Sequence, residues 1–416
     1  MTSPNPADSV PTPIADTWQI KATLLLVSTL TVMAGATIAP SLPTMQVYFN
    51  ETPNAEFWVR LVLTMPALFI VIGSPIAGQL VDRAGRKSLL LGSAVLYGLA
   101  GSSGFVLDSL FAILIGRALL GLAVAGIMVS ATTLIADYYQ GDARANFMGL
   151  QAAFMGFGGV LFLSVGGFIA ELNWRLPFLI YLFSWLLLPG IVLALYEPSL
   201  SKSGTDTTTA DPKAEMPVKL LVLIYGSALI QQIVFYLIPV QLPFYLEKIT
   251  GAGATETGLA IAFAILFSAF ASLNYGRFKK RFSFIKILAI AFFLIGLGYF
   301  GIGLVSNYWL ILCVLIPTGI GLGLMMPNLN VWTANEVPDA FRGRALGGLT
   351  TFMFLGQFLS PIVSQPVRQA LGMTATYGRV GVYLIVLATL LWIYGKRICR
   401  MVNSTANEKV LSHDSI

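Results

Sequence analysis

Long apolar runs alternate with short polar segments along the whole chain. Each of the twelve longest runs is mostly apolar over about 20 residues, which is the length that a helix needs to cross the hydrocarbon core of a bilayer. Gly and Pro interrupt several of them, as membrane helices tolerate. The pattern predicts an all-α membrane protein with twelve transmembrane helices, at 19–40, 57–80, 88–107, 109–136, 145–170, 176–196, 218–246, 257–276, 285–305, 308–333, 344–367 and 378–398.

The composition excludes a soluble protein. Hydrophobic residues make up 56% of the chain and charged residues only 11%, whereas a soluble domain carries about 25% charged residues. The formal net charge of +6 would by itself suggest a nucleic-acid partner. The Lys and Arg residues lie mostly in alternate loops, however, which is the positive-inside pattern of a membrane protein. We therefore expect the lipid bilayer, and no nucleic acid, as a partner.

The distribution of basic residues orients the predicted helices. An even number of spans puts both termini on one side, and 19 of the basic residues then fall on that side. The opposite side keeps five, Arg60, Arg175, Lys248, Arg368 and Arg379. Both termini are therefore predicted to be cytoplasmic, in the plasma membrane. Residues 1–17 lack a basic n-region, so the first run is expected to be a retained helix and not a cleaved signal.

A polar segment divides the spans into two sets of six. Residues 199–217 are rich in Ser, Thr, Asp and Lys and are interrupted by Gly and Pro, which is typical of a linker. The predicted organisation is a disordered cytoplasmic tail, an N-terminal six-helix bundle, a cytoplasmic linker, a C-terminal six-helix bundle and a cytoplasmic tail, at 1–17, 18–198, 199–217, 218–400 and 401–416.

The two halves are related in sequence by one offset without gaps. Residues 198 positions apart match repeatedly, as in Gly78/Gly276, Arg83/Arg281, Gly121/Gly319, Arg144/Arg342, Gly149/Gly347 and Gly158/Gly356. This register predicts two parallel repeats of six helices, related by an axis along the membrane normal.

A charged, Gly-punctuated stretch joins predicted spans 2 and 3, and we name it the hinge motif. It reads Gly78-Gln-Leu-Val-Asp82-Arg83-Ala-Gly85-Arg86-Lys87. Because burying these charges in hydrocarbon would be costly, the motif must lie at a membrane face. It resembles the signature loop between helices 2 and 3 of major facilitator superfamily transporters. That resemblance implies two pseudo-symmetric six-helix bundles around a central cavity.

Three further motifs resemble the twelve-helix drug/proton antiporters within that superfamily. They are Ala39-Pro40-Ser-Leu42-Pro43 at the end of span 1, Arg117-x-x-x-Gly121 in span 4 and Asn173-Trp174-Arg175-x-x-Phe178 at the entry to span 6.

Span 5 departs from the antiporter pattern. Antiporters of this kind usually carry Gly-Pro ahead of a Gly-Gly pair. Here Gly166-Gly167 is present but is preceded by Phe162-Leu163, and the repeat register puts Pro361 opposite Leu163. The departure leaves the direction of transport open.

The resemblance implies a gating role for the hinge motif. It places Asp82 against the N-terminus of span 11, near 343–348, where a carboxylate is favourable because a helix N-terminus carries about half a positive charge. It also pairs Arg86 with Asp137 at the end of span 4. These contacts would latch an outward-facing state and release as the cavity opens inward. The alternative is that the charges only set the orientation of the helices in the membrane through the positive-inside rule. The predicted gating residues are Gly78, Asp82, Arg83, Gly85, Arg86, Lys87 and Asp137.

Arg117 lies within an apolar run, between Ile115 and Leu119. A charge at a helix centre costs about 2.5–3.5 kcal/mol on insertion scales, so it normally faces a cavity or a partner. The resemblance casts Arg117 in proton coupling. The alternatives are a structural hydrogen-bond donor to backbone carbonyls and a residue that snorkels to the outer face.

Acidic residues are missing from the middle of the predicted spans. No Asp or Glu falls in the central third of any of them. A relay of carboxylates at the membrane centre is therefore excluded, and a titrating group is expected at a helix end.

Polar and aromatic residues inside the spans are candidates to line the cavity. In this architecture the cavity lies near the midplane between the halves. A cavity that is apolar, aromatic and free of carboxylates suits a hydrophobic compound, neutral or anionic. The candidates are Gln151, Gln231, Gln232, Tyr236, Asn328, Asn330, Trp332 and Gln357.

The predicted function is secondary active transport, specifically proton-coupled efflux of small hydrophobic compounds by alternating access, with protons and a small-molecule substrate as partners. The alternative is a facilitator or symporter of an organic metabolite or organic anion, and a transporter-like receptor is a third reading. An enzyme is disfavoured, because the single His413 lies in a polar tail and the two cysteines show no metal or disulfide spacing. A channel is disfavoured because no re-entrant filter or charged ring is visible. No ATP-binding loop, metal site or cofactor is expected, and we expect a monomer.

Overall fold

The computed structural model describes residues 17–198 and 216–411. Within these residues the regular structure is helical and no strand occurs. Twelve helices in this part are long and apolar enough to cross a membrane, as predicted. We number them spans 1 to 12: Trp18–Tyr48, Ala55–Ala84, Arg86–Phe105, Leu110–Tyr138, Gly141–Leu172, Leu176–Leu193, Val218–Thr250, Ala254–Leu273, Phe284–Ile302, Tyr308–Glu336, Ala340–Leu371 and Met373–Gly395.

The predicted 1–17 tail and the predicted linker lie almost wholly outside the described residues, whereas most of the predicted 401–416 tail lies within them. The predicted 1–17 tail and 199–217 linker include only residues 17, 216 and 217 of the described part. The last helix runs Met373–Leu411, so it extends well past residue 398, where the hydropathy pattern predicts its end.

Prolines divide spans 1 and 7 in matching places. The first helix of span 1 is Trp18–Ala36 and the first helix of span 7 is Val218–Phe235. A proline ring clashes with the carbonyl four residues before it, and Pro40 and Pro239 each stand four residues after those helix ends. The remaining pieces of the divided spans, and the short helix between spans 8 and 9, are Ala39–Ser41, Leu42–Tyr48, Leu176–Leu182, Phe183–Leu186, Leu188–Leu193, Leu237–Thr250 and Tyr275–Lys279.

The same helix pairs pack in both halves. In the first half span 1 packs on span 5, span 2 on span 4, and span 3 on spans 4 and 6. In the second half span 7 packs on span 11, span 8 on span 10, and span 9 on spans 10 and 12. Each pair of the second half is the first-half pair advanced by six. The halves are therefore two parallel repeats, as the 198-residue register predicts.

Two matched glycines show the register at atomic detail. A Cβ placed on Gly121 would lie 2.4 Å from the carbonyl oxygen of Pro66, and a Cβ placed on Gly319 would lie 2.4 Å from the carbonyl oxygen of Ala264. All four residues obey the 198-residue offset. Only glycine allows spans 2 and 4, and spans 8 and 10, to approach this closely.

The bundles contact each other most extensively through spans 2 and 11 and through spans 5 and 8, and the distal part of span 1 also packs against spans 7 and 8. We call the membrane side with both described chain ends the terminus side, and the other the distal side. At the distal end of span 5 a Cβ on Gly167 would lie 2.7 Å from the oxygen of Ala254. Farther in, a Cβ on Gly159 would lie 3.9 Å from Ile265, and Gly149 faces open space. The bundles are thus closed on the distal side and diverge toward the terminus side.

Replacing either matched glycine by valine should destabilise the protein. Both Gly121→Val and Gly319→Val force a side chain against a neighbouring carbonyl, which costs about 1–3 kcal/mol. The apparent melting temperature of the purified protein in detergent measures this. Gly92→Val in span 3, where a side chain meets open space, is the control, and equal melting temperatures for all three variants would contradict the packing account.

Candidate functional site

The hinge motif is tied to span 4 by an ion pair. Arg86 Nε lies 3.0 Å from Asp137 Oδ2, and both side chains are partly exposed. Asp137 stands one residue before the end of span 4. Burial raises the pKa of the nearby Tyr196 phenol above its ordinary value, and the negative charge of Asp137 adds to that shift.

Glu197 closes the N-terminus of span 3, a role that the sequence analysis missed. Its carboxylate accepts hydrogen bonds from the backbone N–H groups of Arg86 at 2.7 Å and Lys87 at 2.8 Å. A negative charge is favourable there because it faces the positive end of the helix. Gly85 has φ +87°, and a Cβ on it would lie 2.9 Å from the Glu197 carboxylate. Glycine is therefore required at this turn of the motif by both conformation and space.

Lys87 ties the start of span 3 to the end of span 6. Its Nζ donates to the carbonyl oxygens of Val192 and Leu195, each at 2.7 Å. Beside it the Tyr138 hydroxyl donates to the Tyr196 carbonyl at 2.5 Å, and the two rings stack. The basic residues of the motif and their partners thus join spans 3, 4 and 6 on the terminus side into one block.

The acidic residue of the hinge motif stands apart from that block. Asp82 and Arg83 are exposed, and Asp82 forms no hydrogen bond or ion pair with the described part of the chain. A Cβ on Gly78, Gly343 or Gly347 would meet open space. The predicted contact of Asp82 with span 11 is therefore not made in this conformation, which is open on the terminus side. Its gating role stays a prediction.

Arg117 is buried among aromatic rings in the N-terminal bundle. Its side chain is 1% exposed, and its guanidinium carbon lies 4.9 Å from the ring centre of Phe178 and 4.8 Å from that of Tyr181. None of its three nitrogens makes a hydrogen bond within the described residues. The aromatic faces are therefore the visible stabilisation of this cation. The Tyr181 hydroxyl donates to the Ala34 carbonyl in span 1 at 3.1 Å, so the cluster reaches the residue next to Gly35.

Three residues from the two bundles, Gly35, Tyr236 and Gln357, meet at a site that we call the Gly35 cluster. A Cβ on Gly35 would lie 3.1 Å from the Tyr236 hydroxyl and 3.5 Å from Gln357 Nε2. Tyr236 occupies the break in span 7, and Gln357 lies in span 11. The structure thus brings two of the predicted cavity residues together at the junction of spans 1, 7 and 11.

The other glutamines lie near the same spans. Gln231 is 3% exposed with its Oε1 unpaired within the described residues, and the Cβ of Gln232 packs on Gly356. Gln151 Nε2 donates to the Ser28 hydroxyl at 2.8 Å, which joins span 5 to span 1.

The three candidate cavity residues in span 10 make contacts outside the Gly35 cluster. Asn328 is fully buried, and its Nδ2 donates to the Phe284 carbonyl at 3.0 Å. Trp332 stacks on the Phe284 ring with centres 5.6 Å apart. Asn330 is exposed and donates to the Met326 carbonyl of its own helix. The structure does not bring these three to the Gly35 cluster.

Arg60 is a second buried arginine, on the distal side, that the sequence analysis did not single out. Its side chain is 1% exposed. Its Nε donates to Gln241 Oε1 at 3.0 Å, its Nη1 donates to Gln46 Oε1 at 3.1 Å, and its guanidinium lies 3.9 Å from the Phe244 ring centre. The available signal was the one used for Arg117, a charge inside an apolar run.

The chain belongs to the Major Facilitator Superfamily, whose sequence model matches residues 24–361 and, in a second match, 224–411. It is 26% identical over 402 residues to the class E tetracycline resistance protein of Escherichia coli, covering 92% of this chain and 96% of that one. It is 23% identical over 331 residues to quinolone resistance protein NorA of Staphylococcus aureus, covering 78% and 84%.

Solved structures share the fold over nearly the whole chain. A D-xylose-proton symporter superposes with a TM-score of 0.76 at 17% identity, covering 90% of this chain and 97% of that one. A single-residue mutant of the nucleoside transporter NupG gives 0.74 at 12% identity, covering 90% and 99%. The chain is therefore a multi-pass transporter of the plasma membrane and not an enzyme.

Asp82 and Glu197 should respond differently to neutral substitution. Glu197→Ala removes the cap of span 3 and should lower the melting temperature, at a cost of about 0.5–2 kcal/mol. Asp82→Asn removes no contact of this conformation, so it should leave the melting temperature unchanged. If the carboxylate contacts the N-terminus of span 11 in the opposite state, Asp82→Asn should slow transport about two- to fivefold.

Surface expression, thermal stability and flux of both variants distinguish these effects. Wild-type flux in Asp82→Asn, at equal expression, would remove the gating role. An unchanged melting temperature in Glu197→Ala would show that the cap does not stabilise the fold.

Proposed function

We propose that this chain is a proton-coupled exporter of small hydrophobic compounds that works by alternating access. The observation that carries the proposal is the Gly35 cluster. Tyr236 and Gln357 meet span 1 between two bundles that are closed on the distal side and open on the terminus side.

The relatives support the export of drug-like compounds. The two resistance proteins carry the names of tetracycline and the quinolones, which are small and partly hydrophobic. The match to the class E tetracycline resistance protein covers 92% of this chain, so both bundles contribute to the likeness.

The polarity of the centre supports a hydrophobic cargo. The groups at Gly35 are a phenol hydroxyl and an amide, which carry no charge. In the described spans the carboxylates lie near helix ends, as at Glu56, Asp137, Glu171 and Glu336. A few polar groups in an otherwise apolar wall orient a ligand without paying to desolvate a buried charge.

The glycine pair of span 5 supports an antiporter-like distal closure despite the missing proline. A Cβ on Gly166 would lie 2.4 Å from the Thr37 oxygen of span 1, and a Cβ on Gly167 would lie 3.1 Å from the Cα of Gly258 in span 8. Span 5 therefore packs against spans 1 and 8 at once, with Leu163 where the antiporter pattern has proline.

Proton coupling is supported by the placement of Arg117. It is a buried cation held by rings, and Tyr181 links those rings to span 1 just before Gly35. A change of charge near Arg117 would therefore act directly on a cavity-forming helix.

The second candidate is a facilitator or symporter of an organic metabolite or organic anion. It is favoured by Leu163, which is fully buried at the proline position. It is also favoured because no carboxylate of the described residues lies beside the Gly35 cluster. The direction of substrate transport and its coupling to proton movement distinguish the two candidate functions.

Proteoliposomes with an internal pH dye test the proposal. Tetracycline and a quinolone serve as first probes, added to vesicles under an imposed proton gradient. Proton movement opposite to the probe, abolished by an uncoupler, is expected. Probe and protons moving in the same direction, or probe flux that ignores the gradient, would favour the second candidate.

Two cavity variants should weaken substrate recognition without unfolding the protein. Tyr236→Phe and Gln357→Ala each remove one polar group, worth about 0.5–1.5 kcal/mol, so KM should rise about two- to tenfold. Thr389→Val, which removes only a bond within span 12, is the matched control. Unchanged KM in both cavity variants would exclude the Gly35 cluster as the binding site.

A further inference from the structure

The two main contacts between the bundles, which we call seams, are those of spans 2 and 11 and of spans 5 and 8. The 198-residue repeat relates one seam to the other, but their polar contacts differ. On the distal side the end of span 11 meets the start of span 2, and the end of span 5 meets the start of span 8. The 198-residue offset puts Ala254 opposite Glu56 and Gln369 opposite Glu171. Each seam therefore carries one carboxylate from the N-terminal bundle, and the equivalent position of the C-terminal bundle carries none.

The seam of spans 2 and 11 is held by an ion pair. Arg368 Nη2 contacts Glu56 Oε1, and Arg60 Nη2 lies 3.5 Å from the same oxygen. Glu56 is 33% exposed and Arg368 13%. The contact from Arg60 to Gln241 also crosses between the bundles, and Gln241 Nε2 in turn donates to the Ser364 hydroxyl at 3.2 Å. One polar chain thus joins spans 2, 7 and 11.

The seam of spans 5 and 8 is held by a helix cap. Glu171 Oε2 accepts a hydrogen bond from the backbone N–H of Thr255 at 3.0 Å. A Cβ on Gly253 would lie 2.7 Å from Glu171 Oε1, so the carboxylate lies directly on that turn. A carboxylate of one bundle therefore faces the positive end of a helix of the other.

We propose that Glu56, Arg60, Arg368 and Glu171 form the distal gate of the transport cycle, with Glu56–Arg368 and the Glu171 cap as its two cross-bundle latches. This rests on the alternating-access part of the proposed function. Both latches exist only while the bundles touch on the distal side, so each stabilises this state over the distal-open state by its own contact energy. The four residues position the bundles and are separate from the substrate cluster at Gly35.

Thiol reactivity of a buried reporter tests the gate without any substrate. The background replaces Cys313 and Cys399, and the reporter is Ser41→Cys. Ser41 is 1% exposed in a distal turn of span 1 that packs against spans 7 and 8 of the other bundle. A membrane-impermeant maleimide is reacted with the full chain in lipid nanodiscs. Ser130→Cys, fully buried inside span 4, reports global unfolding.

Removing either partner of the ion pair should expose the reporter. Glu56→Gln and Arg368→Gln should each speed labelling of the reporter about fivefold, and the double variant should label no faster than the faster single variant. Glu171→Ala should also speed labelling, since alanine offers no acceptor to Thr255. Glu51→Gln, a change at an exposed carboxylate on the same side, should leave the rate unchanged. Ser130→Cys should stay unreactive throughout.

Labelling at the unmodified rate in Glu56→Gln and Arg368→Gln would overturn the proposal, as would a double variant whose effect is the product of the two single effects. Reactive Ser130→Cys would also count against it, because it would assign the change to unfolding. Since the readout needs no cargo, a failure to transport any drug leaves this result intact, and the two proposals can fail separately.

Discussion

Backbone contact between the bundles at Gly167 and Gly258 is the constraint on which the rest of the structure depends. A Cβ on Gly167 would lie 3.1 Å from the Cα of Gly258, and a Cβ on Gly258 would lie 3.0 Å from the Cα of Gly167. Spans 5 and 8 can approach this closely only because neither residue has a side chain. In this conformation the contact closes the distal end of the interface, the bundles diverge toward the terminus side, and the Gly35 cluster lies between these two ends.

The ion pairs and helix caps made by carboxylates lie at the ends of the spans and not in their middle. A charge in hydrocarbon is costly, so carboxylates are confined to helix ends, where they can exchange partners with water. Arg60 and Arg117, the fully buried cations of the described part of the chain, lie against aromatic rings. On the terminus side Glu197 and Asp137 stabilise one bundle internally, whereas on the distal side Glu56 and Glu171 reach across to the other bundle. This difference matches a state that is open on one side and closed on the other.

Features that appear as a regular pattern along the sequence could be predicted from it. The number of spans follows from hydropathy, and the parallel repeat follows from one constant offset, which Gly121 and Gly319 obey in space. Partners distant in sequence leave no such pattern: Glu197 caps a helix that begins 111 residues earlier, and Gln241 accepts from a residue 181 positions away. Hydropathy also marks only the apolar part of the last helix, so its continuation to Leu411 carried no signal. Asn328 shows that a polar residue in a span can serve packing instead of a cavity.

The measurement that tests alternating access most directly is a pair of distances between spin labels, read on both faces of the same protein. Labels at Val106 and Lys248 report the distal side, and labels at Ser88 and Lys280 report the terminus side; all four positions are accessible enough to carry a label. On addition of a transported compound or a change of pH, the account predicts opposite changes, with the distal distance lengthening in the fraction of molecules in which the terminus distance shortens. Distances that stay fixed in every condition in which flux is measured, or that lengthen together, would contradict it.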